Sequence, residues 1–336
     1  ISDFRSDTVT LPTPAMREAM ARAELGDDVL GTEPTAIKLE AMTAELLGKE
    51  AGLFVPSGTM GNQIAIALHA QRGQEVICEF GAHTYNNESG ALALIAGAQV
   101  RPVNGKAGVM DPAQVEAMVR PANIHNPRTA LITVENTHNA AGGTIVPMDN
   151  IRALAEIARK HGLKYHLDGA RLWNAHVATG TPLREMCAPF DTVNVCLSKG
   201  LCSPVGSVLV GSREEIERGR YLRKQLGGGM RQSGILAACG IVSITQMIAR
   251  LKDDHTNARK LAEGLARLPG VQLDLASVQT NIIYFSVPGR EAQYPQWLER
   301  LKQQKVLAMT LGNRWRLVTH HDVDTQDCDR ALAAFK

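Results

Sequence analysis

The chain has 336 residues, enough for about two domains of ordinary size. Apolar residues make up 44% of it and charged residues 21%, and 36 Lys plus Arg balance 34 Asp plus Glu, so nothing marks it for nucleic acid or an anionic membrane surface. Small molecules are the expected partners. Six cysteines (Cys78, Cys187, Cys196, Cys202, Cys239 and Cys328) contain no C-x-x-C pair and sit mostly in apolar stretches, the pattern of reduced, buried thiols. Neither a charged-then-apolar leader nor a run of about 18 apolar residues occurs, which makes a cytoplasmic address the expectation, although the chain starts at Ile1 and not at Met.

In chain order, the first candidate strand is Gly52–Pro56, and Ser57-Gly58-Thr59 then opens a helix through Ile64, Ala67 and Leu68 toward a cap at Gly73. Further strands are expected at Glu75–Cys78, Ala130–Glu135, Lys164–Asp168, Thr192–Leu197 and Ser207–Gly211. Between the third and fourth lies a helix with Asp149 as N-cap, Ile151, Leu154, Ala155 and Ala158 on one face, and Gly162 as C-cap. Strand and helix alternate, which predicts an α/β fold with a mostly parallel sheet. After Gln246 the pattern changes to a long charged helix reaching Leu268, a break at Pro269-Gly270, a strand at Ile282–Val287, a helix near Pro295–Gln304, a strand at Trp315–Thr319 and a last helix from Thr325. Residues 1–245 therefore read as a large domain with an N-terminal arm, and 246–336 as a smaller α+β domain.

Two motifs carry chemistry: His166-Leu167-Asp168-Gly169-Ala170-Arg171 and, 31 residues after the Asp, Leu197-Ser198-Lys199-Gly200. Each starts at the end of a buried strand, the edge of a parallel sheet where ligands bind. A pyridine cofactor needs an anion on its ring nitrogen and a lysine for its aldehyde, roles open to Asp168 and Lys199. A structural salt bridge fits the same spacing. Ser57, Gly58 and Thr59 open a helix whose free N–H groups could bind phosphate, or simply cap it. Gly227-Gly228-Gly229-Met230-Arg231-Gln232 offers backbone freedom and an arginine for a phosphate, and is equally readable as a flexible loop.

Taken together, Phe4-Arg5-Ser6-Asp7-Thr8-Val9-Thr10, Gly26-Asp27-Asp28-Val29, Glu135-Asn136-Thr137-His138-Asn139, His166 to Arg171, Leu197 to Gly200, Pro204-Val205-Gly206-Ser207, Gly227 to Gln232 and Arg316-Leu317-Val318-Thr319-His320 span the chain. In this order they resemble the low-specificity L-threonine aldolases, fold-type I enzymes of pyridoxal 5'-phosphate. The resemblance implies a seven-stranded-type large domain that binds the cofactor, and cleavage of β-hydroxy-α-amino acids to glycine and an aldehyde. It implies Lys199 as Schiff-base lysine, Asp168 on the pyridine nitrogen, His83 stacked on the ring, and Ser57, Gly58 and Thr59 around the phosphate. Arg171 is implied near the cofactor's phenolic oxygen and the substrate carboxylate, with Ser6 and Arg316 completing that carboxylate site. His83 and His125 are implied beside the substrate's β-carbon, either one a candidate base. Lys224 and Arg231 match positions that reach the cofactor from a neighbouring subunit, so a homo-oligomer, a dimer or dimer of dimers, is expected. No metal is expected. His166 reads as support for Asp168 and His138 as scaffold.

Two positions depart from the family: Leu30 and Asn87 stand where aromatics are common. Both bear on the pocket for the β-substituent. Other reactions of the same cofactor, such as β-elimination, racemisation or hydroxymethyl transfer, and a non-catalytic carrier of the cofactor, are the alternatives that fold alone leaves open.

Overall fold

The computed structural model describes residues 1–336. Its strands are β1 (Ser2–Asp3), β2 (Ala51–Val55), β3 (Glu75–Glu79), β4 (Gln99–Val103), β5 (Thr129–Glu135), β6 (Lys164–Asp168), β7 (Thr192–Cys196), β8 (Ser207–Gly211), β9 (Ile282–Phe285), β10 (Val306–Leu307), β11 (Met309–Leu311) and β12 (Arg314–Val318). A seven-stranded sheet runs in the order β2-β8-β7-β6-β5-β3-β4. The pairs β7·β6, β6·β5, β5·β3 and β3·β4 are parallel, and β8 alone runs antiparallel to both its neighbours. Its inner strands are buried on both faces, so they read as continuous runs such as Thr129-Ala-Leu-Ile-Thr-Val-Glu135 and not as alternating ones.

The edge strand β4 was not among the expected strands. Gln99-Val-Arg-Pro-Val103 contains a proline and an arginine, tolerated because one side of the strand pairs with nothing. The helix Met148–His161 buries Ile151, Leu154, Ala155 and Ala158 and ends at Gly162 in the left-handed region (φ 63°), but its N-cap is Pro147, with Asp149 in the first turn, where its charge suits the helix dipole. The helix after Ser57 spans Gly58–His69 and is capped by Ala70; Gly73 serves the following turn instead, at φ 84°. The charged helix is Leu251–Leu265, preceded by a π-helical turn at Ser243–Met247.

A second sheet, β11-β12-β9, is antiparallel and carries the helices Tyr294–Gln303 and Thr325–Phe335. The hydrophobic core is divided accordingly. One cluster joins the helices of the large sheet and includes Leu251; the other joins Ala258, Leu261 and Leu265 to Trp315, Leu317 and Ala331. Phe4, from the N-terminal arm, belongs to this second cluster, and β1 pairs in parallel with β10, so the arm packs on the small sheet. No single helix is long and apolar enough to cross a membrane.

The helix Gly58–His69 lies against the sheet so closely that a Cβ on Gly61 would overlap Asn194 Oδ1 of β7. In a free helix Gly→Ala is favourable by about 1 kcal/mol. Here Gly61→Ala is expected to lower stability by about 1–3 kcal/mol, since the helix must lift or Asn194 must leave its partners. Thermal denaturation of the variant checks the sign.

Candidate active site

The carboxyl ends of β2, β3, β5, β6 and β7 share one sheet edge, and each runs into a polar segment: Ser57–Thr59, Gly81–His83, Asn136–Asn139, Asp168–Arg171 and Ser198–Lys199. At the centre is Asp168, 2% exposed. Its Oδ2 accepts from Asn62 Nδ2 at 2.9 Å and its Oδ1 from the Ala170 N–H at 3.1 Å. Both donors are neutral and no cation pairs with it, an arrangement that leaves a buried anion in need of a positive partner.

Asn62 organises the floor. Its amide donates to Asp168 and to Glu88 Oε1 (2.9 Å), and its Oδ1 receives Asn194 Nδ2 (3.0 Å) and His166 Nε2 (3.3 Å). Asn194 Nδ2 also reaches the carbonyl of Gly58, which links this floor to the start of the Gly58–His69 helix. Burial pulls His166 down to about 4, so it is neutral; its Nδ1 lies 2.9 Å from the Thr192 hydroxyl and 3.1 Å from the Thr192 carbonyl, and its Nε2 faces Asn62 Oδ1. It supports the Asp168 neighbourhood and faces no solvent.

His83 opens the short helix His83–Asn86, its N–H donating to Glu135 Oε2 at 2.7 Å. Its Nδ1 lies 2.9 Å from Glu88 Oε1 and its side chain is 30% exposed. Burial lowers its pKa, but the Glu88 hydrogen bond and the charges of Asp168, Glu135 and Glu88 outweigh burial and leave it raised. Ligand atoms of His83, Glu88 and Asp168 lie within 4.8 Å of one another. The shared donor Asn62 accounts for the two carboxylates being so near.

The second half of the site is cationic. Arg171 is clamped by Asp7 through Nε (2.8 Å) and Nη2 (2.7 Å), with both residues buried. Burial alone would raise Asp7, but the charge and hydrogen bonds of Arg171 hold it well below the carboxylate range, and burial of Arg171 is likewise outweighed by Asp7. Asn281 Nδ2 adds a third donor to Asp7. Arg316, 5% exposed, donates from Nη2 to Asn139 Oδ1 (2.9 Å) and from Nη1 to the Arg5 carbonyl (2.8 Å), while its Nε is buried without a partner. Burial and then the charge of Arg171 lower its pKa. Two guanidiniums thus share one carboxylate, and a second anion is called for. Lys199 is half-buried close enough to Asp7 to lower that group's pKa, and its amine takes part in no ion pair.

The structure brings Ser57, Gly58, Thr59, His83, Asp168, Arg171, Lys199, Ser6 and Arg316 to this edge, with two changes of role. Arg171 presents its fork to Asp7 and not to open space, and the Ser6 hydroxyl accepts from the Thr8 N–H as a cap. His125 is not brought to this edge by its own chain. It is exposed on the loop before β5, at the amino end of that strand, so the seven residues of β5 place it roughly 20 Å from Glu135 and His83 in the same chain. Leu30 is 74% exposed on a turn anchored by Asp27, and Asn87 is exposed after the short helix of His83. Lys224 and Arg231 are exposed too; Arg231 lies 3.4 Å from Asp27, and the neighbouring Gly228 packs on Met60 beside the phosphate-type helix start. Asp7, Asn62, Glu88, Asn139 and Asn194 escaped the sequence reading.

These residues fit pyridoxal phosphate on their own chemistry. Asp168 lacks a cation, Lys199 offers an unpaired amine, and Ser57 caps a twelve-residue helix whose first residue, Gly58, could carry no Cβ without meeting Cys196 Sγ at 2.6 Å.

The fold and site are those of a lyase class: residues 3–288 match the beta-eliminating lyase family. The chain is 45% identical to a probable low-specificity L-threonine aldolase 2 of Arabidopsis thaliana over 99% of its own length and 96% of that protein's, and 42% identical to the low specificity L-threonine aldolase of Escherichia coli K12 over 99% and 98%. A threonine aldolase structure from Leishmania major superposes with a TM-score of 0.84 at 21% identity, covering 99% of this chain and 98% of that one. The chain belongs to the low-specificity L-threonine aldolase family.

Asp7→Asn should cost about 3–5 kcal/mol, because it leaves Arg171 buried and unpaired. The native pKa is depressed, so the stabilisation is fully present above the ordinary carboxylate pKa of about 4 and is lost as pH falls from there through Asp7's own pKa. Urea denaturation of both proteins from pH 8 to pH 3 should show a constant gap that begins to narrow only below about pH 4 and stays open at pH 3.

Proposed function

We propose that the protein cleaves L-threonine, L-allo-threonine and related L-β-hydroxy-α-amino acids reversibly to glycine and an aldehyde, with pyridoxal 5'-phosphate. The observation that carries this reading is the pairing, on one sheet edge, of a buried carboxylate without a cation (Asp168) and a buried arginine short of an acceptor (Arg316). The first suits a protonated pyridine and the second a substrate carboxylate. A mere carrier of the cofactor has no use for the second.

Lys199 would hold the cofactor's aldehyde carbon, Asp168 its ring nitrogen, His83 its ring face and Ser57 to Thr59 its phosphate. When bound, the cofactor supplies an electron sink for the pair released at Cα. Arg316, oriented by Asn139, holds the substrate carboxylate, and the Asp7–Arg171 pair keeps that wall of the pocket cationic and fixed. His83 Nε2 accepts the proton of the β-hydroxyl. As that O–H bond breaks, its electron pair forms the carbonyl of the departing aldehyde, and the Cα–Cβ pair stays with the glycine fragment.

Activity is assigned to a homo-oligomer in the cytoplasm. Tyr221, on the helix that carries Lys224, and Leu25, Val29 and Leu30, in the turn against which Arg231 lies, are exposed large apolar residues, and all six cysteines are unpaired, as in a reducing compartment. In such an assembly Lys224, Arg231 and Leu30 would serve a neighbouring site. His125, next to the 96% exposed Ile124, would do the same from its own loop. Leu30 and Asn87 are assigned to the β-substituent pocket, and the division between the domains to residues 245 and 246.

Incubation with threonine, allo-threonine, β-phenylserine and serine tests the reaction. Aldehyde with equimolar glycine is expected; a keto acid and ammonia would replace aldol cleavage by β-elimination. The holoenzyme should be yellow, and Lys199→Ala should lose the visible band's internal linkage together with nearly all turnover. Arg316→Gln should lower kcat/KM about 10- to 100-fold, mainly through KM, by removing a charge-assisted contact of about 1.5–3 kcal/mol. An active monomer in light scattering would overturn the assembly.

A further inference from the structure

We propose that Glu88 is a positioning residue of this site: its carboxylate holds the Nδ1–H of His83, which leaves Nε2 as the proton acceptor, and through Asn62 it holds Asp168 toward the same crevice. The inference rests on the reading of His83 given above.

Glu88 lies just after the short helix that His83 opens, and its side chain is fully buried. Three donors converge on it: His83 Nδ1 at 2.9 Å, Asn62 Nδ2 at 2.9 Å, and Gln63 Nε2, the closest of the three. Only an ionised carboxylate accepts from three directions and presents no N–H of its own. No lysine or arginine pairs with it, so His83 is the one group in its reach that can carry a compensating charge. An Nδ1–H bound to a carboxylate fixes the ring's orientation and tautomer, and the imidazolium formed when Nε2 takes a proton is then stabilised where it forms.

Asn62 extends the hold to the other half of the chemistry. One of its two amide hydrogens goes to Glu88 and the other to Asp168, while its Oδ1 is saturated by Asn194 and His166, so the amide has a single orientation. Glu88 and Asp168 therefore cannot move independently. The charged groups facing His83 are Glu88, Asp168 and Glu135, all acidic, and Glu135 is occupied by the backbone N–H groups of His83 and Asn139. Among them Glu88 alone bonds to the ring.

Glu88→Gln keeps the shape and removes the charge, and it turns an N–H toward a donor. In the holoenzyme labelled with ¹⁵N-histidine, with His83 assigned by its loss in His83→Gln, the His83 pKa should fall by about one unit or more. The acid limb of kcat/KM should move down with it, since a less stabilised imidazolium deprotonates at lower pH. Maximal kcat should drop about 10- to 100-fold with a smaller change in the KM for threonine, because Arg316 is untouched. Glu88→Asp, which keeps the charge, should restore part of the pKa shift. An unchanged His83 titration and acid limb in Glu88→Gln, whatever the rate, would overturn the proposal.

If Glu88→Gln fails to fold, the wild-type ring nitrogens decide: an Nδ1–H, Nε2-acceptor tautomer supports the proposal and the reverse tautomer sinks it. Wild-type protein that releases no aldehyde from any of the four amino acids would refute the aldolase reading instead, and the tautomer would still report on Glu88.

Discussion

The buried pair of Asp7 and Arg171 ties together every part of the molecule that the site needs. Asp7 comes from the N-terminal arm, Arg171 from the segment after β6, Asn281 from the edge of β9, and Arg316 from β12. A buried ion pair is a weak source of net stability, because desolvation offsets most of the attraction. What it gives here is registration. The arm joins the core of the small domain through Phe4 and pairs with β10, yet its acid closes on the large sheet's arginine, so the two sheets are held in one relation across the crevice.

That relation explains why the site is polarised. On the large-sheet side the buried charges are carboxylates, Asp168, Glu88 and Glu135, linked by amides. Toward the small domain stand two buried arginines, Arg171 from the segment after β6 and Arg316 from β12, with only Asp7 to balance them. An amino acid has the matching asymmetry, an anionic carboxylate at one end and an amine at the other. Preorganised charges of this kind require little rearrangement when a ligand arrives.

Much of this was legible in the sequence. Buried parallel strands announce themselves as apolar runs ending in polar residues, so Lys164–Asp168 and Ser207–Gly211 were readable to the residue, and Asp168 and Lys199 stood at strand ends as expected. The failures have physical reasons. β4 is an edge strand whose proline and arginine break the pattern, and Asp149 yielded the cap to Pro147 because the chain enters that helix two residues earlier. Asn62 and Glu88 carry no local signal, since a polar residue on a helix face or in a bend is ordinarily solvated and only the tertiary structure shows that these two are buried. Asp7 did lie within a recognised stretch, but its neighbour Ser6 drew the functional reading.

His125 shows where a single chain stops explaining the chemistry. The family resemblance implies a place for it beside the substrate, whereas β5 carries its loop to the opposite edge of the sheet, and no side-chain motion spans a strand of seven residues. The expectation and the fold are compatible only through a second copy of the chain, as in the assembly proposed above. The loop is built for that kind of meeting: Pro121 and Pro127 bracket it, the Asn123 side chain accepts from the His125 N–H, and Ile124 stands almost wholly in solvent at its tip. An isoleucine so exposed on a rigid turn gains by burial. The same argument applies to Leu30 and Tyr221 on the side of the glycine-rich loop, which folding also leaves exposed to solvent.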